Sequence, residues 1–137
     1  LLMKYLKIKI FVLFVFVVSF SGFAASWIPV ASDNNGDEFF IDADSVKTDN
    51  SLVTFKGLRN YKIPEKSYGS LSSIGKFTAD CKGGGIRLHE YVFFTEKMGT
   101  GDLINSFPIT EKEWFYPRYG TVGGQQLSAV CGQNAIN

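Results

Sequence analysis

From Trp27 onward the chain alternates short apolar runs with clusters of Asn, Asp, Gly, Ser and Pro, a rhythm that predicts β-strands separated by turns. Trp27 to Ala31 reads as a first strand, with Pro29 marking it as an edge. Asn35-Gly36 is a hairpin signal, and Glu38 to Asp42 (EFFID) is the return strand. DADSVKTDN reads as a polar turn region with room for one helical turn. Leu52 to Tyr61 is a longer strand with Val53, Phe55 and Tyr61 on one face, since successive side chains alternate. KIPEKSYG is a loop. Leu71 to Cys81 is a strand whose Leu71, Phe77, Ala79 and Cys81 share a face. KGGG turns the chain into Ile86 to Thr95, where Ile86, Leu88, Val92 and Phe94 are expected together. EKMGTGD reads as a mobile turn. Thr110 to Glu113 matches a capping box, but Pro117 leaves little room for a helix, so Glu113 to Tyr116 is expected as a strand. In the tail, Leu127, Val130 and Cys131 fall at helical spacing, with Gly132 as a stop and Gly123-Gly124 weakening the first turn. The expected fold is α+β: a single antiparallel sheet with one C-terminal helix packed on one face, because a sheet needs its apolar face covered.

The N-terminal segment has a different pattern. Lys4, Lys7 and Lys9 precede nine unbroken apolar residues, Ile10 to Val18, followed by small residues through Ser26. That order is that of a secretory signal peptide over residues 1–26, with cleavage after Ala24 or Ser26 satisfying the small-residue rule. The apolar block is short against the roughly 20 residues of a membrane helix; an uncleaved anchor is the alternative. With no cysteine at the junction, a lipid anchor through an N-terminal cysteine is not available. The remainder, 27–137, is enough for one compact domain. The fourteen Lys and Arg less those three leave eleven against thirteen Asp and Glu, a net charge of −2 without a basic block. Nucleic-acid binding therefore has no electrostatic support.

Export also bears on the cysteines. Cys81 and Cys131 are the only two, and an oxidising compartment favours their pairing. The bond would close a loop of about fifty residues, worth about 4 kcal/mol in the chain-entropy model. It would pin the helix to a strand end.

Three stretches suggest chemistry and fail in detail. GSLSSIGKF resembles a phosphate loop, yet Gly69 and Gly75 are misspaced, no hydroxyl follows Lys76, and the segment reads as strand. SDNNGDE is rich in oxygen ligands, but aligning Gly36 with a calcium-loop glycine leaves Ala31 at the first ligand position. His89 would need further ligands for zinc or a positioned nucleophile for hydrolysis; with Cys81 bridged, it has neither, and Glu90 is expected on the opposite strand face. It reads as a strand residue sharing a polar face with Arg87 and Tyr91. No catalytic, cofactor or metal site is assigned. Aromatic and arginine side chains, which are enriched at interfaces, concentrate instead in WFYPRYG: Trp114, Tyr116, Arg118 and Tyr119 are the candidate partner-binding residues, with core packing the competing role for Trp114 and Tyr116. Exposed sheet edges would allow a homodimer by strand addition.

The order of several elements resembles the surface-adhesin protein E family of Gram-negative bacteria. These are the early Trp27, Phe40-Ile41-Asp42 followed by Ser45-Val46, Asp80-Cys81 after a strand, Trp114, and Val130-Cys131 ending a short helix. The resemblance implies an antiparallel sheet with a disulfide-tethered C-terminal helix, and adhesion to host extracellular-matrix proteins. The expected function is thus an exported, non-enzymatic binding module, at the cell surface or in the periplasm. A periplasmic accessory protein with a bacterial envelope partner is the alternative, and a small hydrolase using His89 a third. The chain departs from the family pattern in FYPRYGTVGG, where a Pro-Gly-Ser-like turn is expected.

Overall fold

The computed structural model describes residues 25–110 and 113–132. The leader expected over 1–26 lies outside them but for Ala25 and Ser26, as do two residues of the expected capping box, 111 and 112.

Among the described residues, seven antiparallel strands form one sheet: β1 (Trp27–Ser32), β2 (Glu38–Asp42), β3 (Lys47–Asp49), β4 (Leu52–Asn60), β5 (Ser72–Asp80), β6 (Gly85–Phe94) and β7 (Leu103–Pro108). Their spatial order is β1-β2-β4-β5-β6-β7, with β3 pairing β4 beside β2. Helix α1 (Val122–Cys131) follows. The β1–β2 hairpin closes at Asn35-Gly36: the Gly36 N–H donates to the Asp33 carbonyl at 3.1 Å, and Gly36 takes φ +84°, open to glycine without steric cost. The polar region after β2 forms its single helical turn, Ala43–Ser45, and then β3.

Helix α1 lies on one face of the sheet, here the inner face. Leu127 packs there with Ile41, Val53, Phe55, Ala79 and Ile86. The Cys81–Cys131 disulfide joins the end of β5 to the end of α1 with 5.5 Å between Cα atoms. Both the helix and its tether agree with the sequence pattern.

Four expectations need correction. First, β7 exists where no strand was expected; its polar residues Asn105 and Ser106 interrupt the apolar pattern. Secondly, Glu113 to Tyr116 is not a strand; only Phe115 bridges, to Ile86. Thirdly, a bulge in β6 inserts one residue between Leu88, opposite Phe77, and Glu90, opposite Lys76. That residue is His89. A bulge reverses the facing of everything beyond it. Tyr91 and Phe93 therefore join Ile86 and Leu88 on the inner face, whereas Val92 and Phe94 turn outward, and Glu90 shares the outer face with Arg87. Fourthly, the 96–102 connection is docked rather than free. Its turn, Lys97–Gly99, lies on the outer face over Leu58 and Ile74. The Met98 N–H donates to Asn60 Oδ1 at 2.8 Å, Asn60 Nδ2 donates to Met98 Sδ at 3.0 Å, and the Gly99 N–H donates to Ser72 Oγ at 2.9 Å. The serines of the apparent phosphate loop are thus buried hydrogen-bonding groups: Ser70 Oγ also donates to the Phe94 carbonyl at 2.6 Å.

Candidate binding surface

The disulfide and the helix fix the segment that precedes α1. Thr121 caps the helix, its Oγ1 accepting from the Gly124 N–H at 3.2 Å and donating to the Arg118 carbonyl at 2.6 Å. Pro117 is buried beneath Gly123, and Phe115 exchanges two backbone hydrogen bonds with Ile86, of 2.7 and 2.9 Å. This strap is therefore held at Phe115, Pro117 and Thr121, while the side chains of Phe115, Tyr116, Arg118 and Tyr119 stay exposed.

Alternation about the Phe115 bridge turns Trp114 and Tyr116 to the outer face, both against Gly85. Arg87 stacks over Trp114 with its guanidinium carbon 4.5 Å from the ring centroid. Phe115 turns the other way, toward the start of α1. Arg118 and Tyr119 occupy the turn that enters the helix. The structure so brings Trp114 and Tyr116 together and leaves Arg118 and Tyr119 beside them on the approach to α1. Phe115 is 67% exposed, Tyr116 62% and Tyr119 84%, so these rings are not core residues. Trp114 is half-buried.

His89 projects from its bulge onto the outer face, where its Nε2 lies 2.7 Å from Thr78 Oγ1. Among the described residues no carboxylate hydrogen-bonds the ring, as a general base acting through a hydroxyl requires. Among the described residues no three His, Cys, Asp or Glu side chains cluster as metal ligands.

A second aromatic surface escaped the sequence reading because the bulge hides its periodicity. On the inner face beyond the helix, Phe93 meets Tyr91 and Phe107 at centroid distances of 6.0 Å each, and Tyr68 covers them at 5.3 and 5.6 Å from Phe93 and Phe107. Tyr68 is brought there by the 61–71 loop, in which the Glu65 carboxylate accepts from the Ser67 and Tyr68 N–H groups. Next to it, Arg59 stacks on Phe39 and Tyr61 at 5.2 and 4.9 Å, and Tyr61 hydrogen-bonds Ser73 at 3.0 Å. Burial, with the Tyr61 hydroxyl near, pushes the Tyr91 phenol above its ordinary value against the opposing pull of Arg59. Alternating Tyr91, Phe93 and a matched Phe107 would have revealed this cluster had the bulge been known.

The described residues thus combine a disulfide-tethered helix on an antiparallel sheet with aromatic rings displayed on a strapped loop. The chain belongs to the surface-adhesin protein E family, whose model matches residues 27–132. A search of curated proteins returns no match. Among solved structures, Haemophilus influenzae protein E is similar in fold: its selenomethionine form has a TM-score of 0.59 at 18% identity, covering 80% of this chain and 88% of that one. Its crystal form II gives 0.57 at 18%, covering 79% and 88%. Membership of a surface-adhesin family implies export or a surface location and speaks for a binding protein rather than an enzyme. Among the described residues no helix is long and apolar enough to cross a membrane.

Proposed function

We propose that this chain is an exported, non-enzymatic adhesin module that binds a protein of the host extracellular matrix through the strapped loop before α1. The observation that carries the reading is the exposure of Tyr116 and Tyr119, with Phe115 between Trp114 and Tyr116, on a segment pinned by a strand bridge, a buried proline and a helix cap. Pre-organised aromatic residues contribute contact area at low entropic cost, and a few such anchors dominate most interfaces. Trp114, Tyr116, Arg118 and Tyr119 are the contact residues. The test is saturable binding of the mature chain to a panel of purified matrix proteins by biolayer interferometry. Tyr116→Ala with Tyr119→Ala weakens that binding by at least about tenfold while the melting curve is kept. Absence of saturable binding to every matrix protein overturns the reading. Protease protection of the chain in intact cells would shift it to an envelope partner in the periplasm.

A further inference from the structure

The outer face of the sheet is covered at one end by the 97–99 turn and is bordered at the other by Trp114 and Tyr116. Between them, next to the 43–45 turn, lies an open cleft of about 670 Å³. That volume is in the range of small-molecule sites. We propose that this cleft is a binding site for a sulfated saccharide, a function separate from the loop surface and independent of it.

The lining carries the inference. Thr54 on β4 stands opposite Thr78 on β5, and Lys56 stands opposite Lys76 in the next outward-facing position. Like charges directly opposite in a sheet repel. Lys76 is neutralised, its Nζ lying 2.8 Å from Glu90 Oε2. Lys56 has no ion-pair partner among the described residues, and neither has Lys47, which lines the same cleft from β3. Glu90 also attracts Lys56 through space but contacts only Lys76, which leaves the Lys47 and Lys56 ammonium groups open to a ligand oxyanion. The β6 bulge adds His89 to the same wall, against Thr78. Bulges commonly re-aim a side chain at a functional position.

The opposite wall argues for a sugar rather than a bare anion. Asp42 is committed to the backbone, its Oδ1 accepting from the Ser26 and Asp44 N–H groups at 3.0 and 3.1 Å. The Asp44 side chain also lines the cleft, is exposed and makes no hydrogen bond among the described residues, so it is a ready acceptor for ligand hydroxyls. The Asp44 carboxylate on one side, with ammonium and hydroxyl groups on the other, suits a polyhydroxyl ligand that carries an anion at one end. Phe55 and Phe77 also line the cleft, but their rings stack on each other and pack into the helix core, so neither is free to take a nucleotide base.

Titration of the ¹⁵N-labelled mature chain with a heparin-derived hexasaccharide tests the assignment, with the desulfated hexasaccharide and a phosphorylated monosaccharide run alongside. Expected are saturable amide shifts at Thr54, Lys56, Thr78 and His89 with the sulfated sugar and much weaker ones with the desulfated sugar. Lys56→Gln with Lys47→Gln weakens binding by about tenfold or more. Lys62→Gln with Lys97→Gln, an equal charge change elsewhere, leaves it within about twofold. Absence of saturable shifts overturns the proposal. So does equal weakening by the two lysine pairs, which means diffuse charge attraction, or equal binding of the desulfated sugar. Binding of the phosphorylated sugar alone at the same amides overturns the sulfate assignment and names a phosphate site.

Discussion

At the scale of single residues, one partly buried ion pair shows how the β1–β2 hairpin is locked. Asp37 is buried, and its Oδ2 accepts from Arg59 Nη2 at 2.7 Å and Nε at 3.0 Å, while Oδ1 accepts from the Lys62 N–H at 2.9 Å. Burial alone would raise this carboxyl; the Lys62 N–H and the Arg59 guanidinium outweigh it and hold the group below its ordinary value. A carboxyl depressed in the folded state contributes stability that is fully present above its unfolded value, about 3.9, and is lost as pH falls through the lower folded value. Asp37→Asn turns an acceptor into a donor facing Arg59, and a cost of about 1–2 kcal/mol at pH 7 is expected. Urea unfolding at pH 7 and at stepwise lower pH checks this: the gap between wild type and variant narrows below about pH 4. A gap that stays constant to pH 2 would show that the carboxylate charge is not what matters. Asn60 is the comparable uncharged case, since its amide both donates to and accepts from Met98. Asn60→Ala should release the 96–102 connection, seen as faster hydrogen exchange at Met98 and Gly99, with a loss of about 1–3 kcal/mol.

At the scale of elements, strands with apolar alternation were legible in the sequence, and those whose signal was local and polar were not. β4, β5 and α1 emerge from Val53-Phe55, Phe77-Ala79 and Leu127-Val130-Cys131 because one face of each meets the same core. β7 owes its place to pairing with β6, a tertiary fact, and Asn105-Ser106 hide it. In β6 the apolar residues were seen, but their facing beyond His89 depends on one inserted residue that no periodicity announces. The candidate loop was legible as a concentration of aromatics; that it is a strap rather than a strand was not, because its single bridge to Ile86 and its buried Pro117 are contacts distant in sequence. The two glycines opening α1 likewise read as weak helix and turn out to be a packing requirement. A Cβ on Gly124 would meet the Arg118 carbonyl oxygen, a backbone atom that cannot move aside without moving the strap. Gly124→Ala, favourable by helix propensity, is therefore expected to destabilise by about 1–3 kcal/mol. It should also change the fluorescence of Trp114. Thermal melts giving equal or higher stability would mean that the strap yields freely.

At the scale of the whole molecule, a sheet of seven strands is held by small covers at opposite corners: α1 on the inner face, the 97–99 turn on the outer. Neither cover is large. The helix core is formed by Leu127 reaching a few strand residues, with Val130 and Cys131 at its margin. Both outermost strands carry a proline, Pro29 in β1 and Pro108 in β7, which removes a backbone donor from each. Loss of the helix would uncover Val53, Phe55, Ala79 and Ile86, and the Cys81–Cys131 bond ties it to the sheet. The two cysteines are 50 residues apart, for which the chain-entropy model gives about 4 kcal/mol. A domain of this size has only ~5–15 kcal/mol in all. Cys81→Ser with Cys131→Ser, or reduction under native conditions, should thus lower the urea midpoint by roughly 2 M for a slope of about 2 kcal/mol per molar. Because the bond ties the helix that fixes the strap, hydrogen exchange after reduction should rise first over residues 113–132, before the β4–β5 pairing is affected. If the whole sheet exchanges in step with the helix, then the helix is not a separable cover, and the loop before it is held by the sheet alone.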